Sequence, residues 1–244
     1  MDENSFLGNL RLIYFYPAEF FGKNHDVKWT KVLVQLVIFY IAYIVLESFL
    51  NLILFFKDNG TIQPIEIVSW IYLTLQSIIA RLSLLLIILF SISGMIYLFL
   101  RITKTNKEYL KNLKSVEYSL MLWIIYGFVI LIASFIIQLT IPIDQSYLQG
   151  IMSTSDIKNI LQLYKLHFSQ PGAVILLILG LAQLVHFLVF LTKSTASFNK
   201  IRTGKAALIA IISAVIVIAI LVLIWIGYIY ANGYLTDPLG ARFS

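Results

Sequence analysis

Residues 206–230 read Ala-Ala-Leu-Ile-Ala-Ile-Ile-Ser-Ala-Val-Ile-Val-Ile-Ala-Ile-Leu-Val-Leu-Ile-Trp-Ile-Gly-Tyr-Ile-Tyr, with no charged residue. A helix rises about 1.5 Å per residue, so about 20 apolar residues cross a hydrocarbon core of roughly 30 Å. This stretch is long enough, and Trp225, Tyr228 and Tyr230 near its far end suit an aromatic anchor at the membrane interface. Such a helix is apolar on every side, so it needs a partner or lipid all round.

Four similar stretches lie upstream. Residues 172–192 hold only His186 as a titratable group, and residues 116–141 run from Glu117 to a stop at Pro142. Residues 30–56 carry Glu47 deep within an apolar run. The run from Ile65 to Leu100 is broken by Arg81. At helical rise it measures roughly 54 Å, too long for one crossing and too short for two with a turn. The expectation is an interfacial or partly buried helix at 65–79 after Pro64, then a span at about 80–101. The expected fold is therefore an all-α membrane protein, a bundle of five transmembrane helices at about 30–56, 80–101, 116–141, 172–192 and 206–230.

Composition agrees. Of 244 residues, 60% are hydrophobic and 12% charged, whereas a soluble domain is about 25% charged. There is no cysteine, which removes disulfides, thiolate metal sites and thiol nucleophiles. The start Met1-Asp2-Glu3-Asn4 is acidic, and Arg11 interrupts the first apolar stretch, so the first span is expected to direct insertion itself. Residues 1–29 are read as a cytosolic and interfacial segment, with 5–22 rich in aromatics but marked by Arg11, Pro17 and Glu19. In the external loop 143–171, Ile157, Ile160, Leu161, Tyr164 and Phe168 recur at helical spacing behind Ser155 and Asp156. That pattern predicts a second interfacial amphipathic helix.

Lysine and arginine set the expected orientation. Arg11, Lys23, Lys28 and Lys31 precede the first span. Arg101, Lys104, Lys107, Lys111 and Lys114 fall between the second and third. Lys193, Lys200, Arg202 and Lys205 fall between the fourth and fifth. These are thirteen of the 18 basic residues; Lys57, Arg81, Lys158, Lys165 and Arg242 make up the rest. The bias puts the N-terminus in the cytoplasm and the C-terminus outside, which needs an odd number of spans. The formal charge of +6 is then topological. Anionic headgroups are the expected partner of these basic loops, and nucleic acid is not. Thr103-Lys104-Thr105 and Thr192-Lys193-Ser194 give the two loops a faint likeness.

Catalytic and metal signatures are missing, so no catalytic residue, metal or cofactor is expected. Arg202-Thr203-Gly204-Lys205-Ala206 fails as a phosphate loop, because Asn199 stands for the first glycine and Ala206 for the hydroxyl residue. The ionisable residues inside spans are the intramembrane candidates, since charge is expensive in lipid. Glu47 and Arg81 have depths compatible with an ion pair, and His186 could pair with Glu117. Ala206, Ala210 and Ala214, four residues apart, predict a close helix–helix contact within or between chains.

Three segments in order, Pro17-Ala18-Glu19-Phe20-Phe21, Ser115-Val116-Glu117-Tyr118-Ser119-Leu120 and Phe198-Asn199-Lys200-Ile201-Arg202-Thr203-Gly204-Lys205-Ala206, resemble the Yip1 family of five-span membrane proteins over nearly the whole chain. That family shows a Pro-x-x-Phe-Phe-like lead-in, a Gly-Tyr-Ser-Leu-x-Pro-like start to the third span and a Gly-Lys-Ala-like start to the fifth. Here Glu117 stands for the glycine and Leu122 for the proline. The short N-terminal segment, without the Asp-Leu-Tyr-Gly-Pro motif of the eukaryotic branch, is similar to the prokaryotic branch. The resemblance implies a prokaryotic cell membrane; with the amphipathic segments at 5–22 and 157–168 and the basic inner face, the expected role is a non-enzymatic scaffold in membrane organisation or trafficking, with a protein partner or a second copy met through the membrane helices. The alternative is a transporter or permease subunit, with Glu47, Arg81 and His186 at work and Gln76, Gln138 and Gln183 as polar lining.

Overall fold

A computed structural model describes residues 27–59, 64–105, 108–140 and 171–236. All regular structure among them is helical: α1 Trp29–Asn59, α2 Pro64–Ile102, α3 Tyr109–Thr140, α4 Pro171–Asn199 and α5 Thr203–Thr236. Pro64 and Pro171 each occupy the first helical position, where the missing N–H is no loss and the fixed φ suits the turn. Glu66 in the first turn of α2 adds a favourable charge at the amide end. The expected amphipathic segments 5–22 and 157–168 lie outside the described residues, as do Lys107 and the side chains of Trp225, Tyr228 and Tyr230.

All five helices are long and apolar enough to cross a membrane. In the most apolar stretch of each, no more than 28% of residues are buried. The rest of that apolar surface faces outward and would be untenable in water. Polar side chains show the reverse: Ser93, Asn112, Ser115, Glu117, Ser119, Ser194, Thr195 and Ser213 are all fully buried. Polar inside and apolar outside is the arrangement that a lipid solvent dictates. The chain is an integral, multi-pass, all-α membrane protein.

The helix bounds correct the sequence reading in two ways. No break occurs near residue 80: α2 is one helix of 39 residues, about 58 Å long, so it must tilt or project beyond the hydrocarbon. The basic connections are also shorter than expected. Arg101, Lys111, Lys114, Lys193 and Lys205 all lie within helices, leaving Lys104, Lys200 and Arg202 among the described basic residues of the turns.

The chain divides into two units. In the unit of Val27–Leu85 and Glu117–Phe190, α1 packs through Tyr43 on α3. The Tyr43 ring meets Phe128 edge-on at 5.5 Å between centroids. Gly127 permits the approach, because a Cβ there would stand 3.2 Å from the Tyr43 ring. In the same unit α3 meets α4, with Trp123 edge-on to Phe187 at 5.5 Å.

The other unit takes in the described parts of Leu86–Val116 and Leu191–Ser244. Its α5 presents Ala206, Ile209, Ala210, Ser213, Ala214 and Val217 as one buried stripe at helical spacing. The contact expected at Ala206, Ala210 and Ala214 is therefore made within the chain. Here α2 and α4 end alike. Lys104 and Lys200 sit at φ 53° and 52°, the left-handed conformation that closes a helix C-terminus. Thr105 N–H reaches Leu100 O at 2.9 Å and Ile201 N–H reaches Ala196 O at 3.1 Å. Lys104 thus corresponds to Lys200, and the register of the faint loop repeat shifts accordingly: Thr192-Lys193-Ser194 lies inside α4.

Candidate functional site

Glu47 and Arg81, the isolated charges of two apolar runs, form an ion pair in the unit of α1 and the first part of α2. Arg81 Nη1 donates to Glu47 Oε2, and Nη2 donates to Oε1 at 3.4 Å. The planar guanidinium matches the carboxylate, the geometry in which such a pair is strongest. The side chains remain 41% and 24% exposed respectively.

Beside the pair lies a partly open cavity of about 130 Å³. Ile44, Glu47, Ser48 and Asn51 line it from α1; Trp70, Leu73, Thr74, Ser77 and Arg81 line it from α2. Each set follows the i, i+3, i+4, i+7 spacing of one helix face. The faces are tied by Ser48 Oγ and Thr74 Oγ1 at 2.5 Å and by Trp70 Nε1–H donating to Ser48 O at 3.1 Å. Thr74 Oγ1 in turn donates to Trp70 O at 2.8 Å, so its lone pairs accept from Ser48. The α2 segment 65–79, expected as an interfacial or partly buried helix, is thus fastened to α1 through its polar face while most of its apolar side chains point outward.

The other intramembrane candidates are dispersed. His186 Nδ1 is hydrogen-bonded to Tyr126 OH at 2.8 Å, nine residues along α3 from Glu117, so Tyr126 takes the role the sequence suggested for Glu117. Glu117 is fully buried at the start of the third span. None of the three glutamines lines the cavity. Gln76 is exposed, Gln138 Nε2 donates to Ser134 at 3.1 Å, and Gln183 Nε2 donates to Trp123 O at 2.8 Å. Lys57 caps the carbonyl end of α3, donating to Leu139 O at 2.9 Å and Gln138 O at 3.3 Å.

In the other unit a buried polar seam joins α3 to α4. Ser115 Oγ lies 2.5 Å from Ser194 Oγ and 3.0 Å from Thr195 Oγ1. Asn199 Nδ2 donates to Asn112 Oδ1 at 2.8 Å and to Thr195 O at 2.9 Å. Lys114 Nζ stands 5.4 Å from the centroid of the Phe198 ring. Around the turns, Lys205 Nζ donates to Thr105 Oγ1 at 2.7 Å, joining the turn after α2 to the start of α5. Lys111 pairs with Glu108 at 3.0 Å. Arg101, Lys104, Lys193, Lys200 and Arg202 remain exposed.

The chemistry this supports is binding and positioning. Among the described residues no cluster of three or more His, Asp or Glu side chains could hold a metal ion. The residues missed from sequence are Ser48, Asn51, Trp70, Thr74 and Ser77 at the cleft and the five of the seam. At the cleft the signal was present, as polar side chains at helical spacing on either side of Glu47 and Arg81. Comparison with protein-family models, curated proteins and solved structures finds no match for this chain.

Proposed function

We propose that the chain is a Yip1-like, non-enzymatic scaffold in membrane organisation or trafficking, set in a prokaryotic cell membrane with its N-terminus in the cytoplasm. Its working surface is the pair of basic turns. The observation that carries this reading is their matched geometry: two left-handed caps at Lys104 and Lys200, with Lys205 donating to Thr105. The buried seam beneath holds α3 and α4 in register. A fixed set of cations suits a sheet of anionic headgroups, where each contributes about 1 kcal/mol, and equally an acidic face of a partner protein.

The test is to replace Arg101, Lys104, Lys200 and Arg202 together by glutamine. Reconstituted protein should lose its enrichment of anionic lipid, and the wild-type enrichment should fade as salt rises, with helix content unchanged. Unchanged enrichment in the variant would remove the basis of the proposal.

A second reading, a permease subunit of a transport complex, draws on the Glu47–Arg81 cavity. In that case a pull-down in mild detergent brings down an ATPase, and Glu47→Gln stops flux in proteoliposomes without unfolding the protein.

A further inference from the structure

The polar wall between α1 and α2 has more hydrogen-bonding capacity than its own contacts use. A guanidinium has five N–H donors, and two of those of Arg81 serve Glu47. Asn51 and Ser77 line the same cavity, and neither side chain bonds another of the described residues. In hydrocarbon such groups need a polar companion, because no bulk water is there to serve them.

Three properties define that companion. The first is charge. Glu47 and Arg81 sum to zero, so an occupant with net charge would sit uncompensated in a poor dielectric; a neutral or zwitterionic group would not. The second is size. The cavity of about 130 Å³ lies well under the roughly 300–1,000 Å³ of a site for a drug-sized ligand, so it suits a small head or a few waters. The third is access. Leu73, one wall of the cavity, is 60% exposed, and its neighbour Tyr72 66%, so the mouth opens among the apolar side chains that meet lipid.

We propose that this cleft seats the zwitterionic headgroup of a phospholipid. The ammonium lies against the Glu47 carboxylate and the face of Trp70, where carboxylate and indole both favour a cation. The phosphate meets the remaining N–H groups of Arg81, with Asn51 and Ser77 as further donors. Depth permits it. Glu47 is twelve residues, about 18 Å, from the Asn59 end of α1. The helix, 31 residues and about 46 Å long, exceeds the hydrocarbon core by about 16 Å. With half that excess at each end, the cleft lies roughly 10 Å below the interface, within the local thinning that intramembrane charges induce. The acyl chains then run along the exposed apolar flank of α2. This site belongs to a different unit from the basic turns, and its occupancy is decided independently of the scaffold reading.

The full chain would be reconstituted in nanodiscs of equal parts phosphatidylethanolamine and phosphatidylglycerol, and retained lipids counted by native mass spectrometry. Asn51→Leu, which fills the cleft and leaves the ion pair in place, is the main variant; Glu47→Gln is the second. The wild type should keep one phosphatidylethanolamine. Asn51→Leu should lower that occupancy about tenfold, with retained phosphatidylglycerol and melting temperature unchanged. Equal retention by wild type and Asn51→Leu would overturn the proposal. Free phosphoethanolamine, added to delipidated protein in micelles, separates the two sources of the same chemistry. Stabilisation by the free compound, with no phosphatidylethanolamine retained in nanodiscs, would overturn the lipid assignment in favour of a soluble zwitterion.

Discussion

The α1–α2 cleft and the α3–α4 seam both set polar side chains between apolar helices, and they treat water and charge in opposite ways. The seam is neutral and closed. Asn112, Ser115, Ser194 and Thr195 are fully buried and linked by bonds of 2.5–3.0 Å. The cleft is charged and partly open, with Arg81 still 41% exposed. Desolvating a hydroxyl or amide costs a few kcal/mol, which a hydrogen bond offsets; desolvating an ion costs far more than one bond returns. Complete burial is therefore feasible for the seam, where it gives a rigid joint. At the cleft the same burial would be ruinous, and the opening left beside the ion pair is what makes the site able to receive something.

This contrast can be broken by substitution. The largest effect is expected for Glu47→Ala, which strands Arg81. Losing one partner of a fully buried pair costs about 3–5 kcal/mol; the partial exposure here should reduce that to about 2–3 kcal/mol. Unfolding by titration with SDS in mixed micelles measures it. The double variant Glu47→Met/Arg81→Met should recover most of the loss, since no orphan charge remains. If the double variant is as unstable as the single one, the pair is not the source of the cost.

Next is Asn199→Leu, which leaves the buried Asn112 amide without its partner and should cost about 1–3 kcal/mol in the same titration. Among the described residues Asn112 Nδ2 already has no hydrogen-bond acceptor, so joint replacement of Asn112 and Asn199 by leucine should be milder than Asn199→Leu alone. Ser115→Ala removes the hydroxyl that meets both Ser194 and Thr195. About 0.6 kcal/mol is expected for each of the two links, the average for side-chain hydrogen bonds between membrane helices.

The smallest effect carries the opposite sign. Lys104→Gly and Lys200→Gly relieve a left-handed backbone that disfavours side chains, and each should stabilise the protein by up to about 1 kcal/mol. The same variants should weaken anionic-lipid enrichment, which would separate the structural from the electrostatic role of these lysines.

Much of this architecture was legible in the sequence, for a plain reason. Helix rise against hydrocarbon thickness leaves little choice for uncharged runs such as 206–230. Glu47 and Arg81 also stood out, because a lone charge in such a run asks for a partner of opposite sign. What escaped followed from treating membrane thickness as a limit on helix length. Nothing between Ile65 and Leu100 breaks a helix, and Arg81 within it is a good helix former, so α2 continues unbroken. The seam escaped because Asn112, Ser115, Ser194, Thr195 and Asn199 sit among lysines, where polarity reads as a solvated turn. Only the packing of α3 on α4 reveals them as interior. His186 went to Tyr126 instead of Glu117 because linear spacing does not fix which neighbour a side chain meets across a helix interface.

The natural absence of cysteine allows the most direct test of the proposed topology. Single cysteines at Lys104, Lys200 and Lys57 would be probed in intact cells and in inverted vesicles with a membrane-impermeant maleimide. Lys104→Cys and Lys200→Cys should react only from the cytoplasmic face, and Lys57→Cys only from the outside. Reaction of all three from one side, or of the two basic turns from opposite sides, would contradict the proposed topology and the scaffold reading that rests on it.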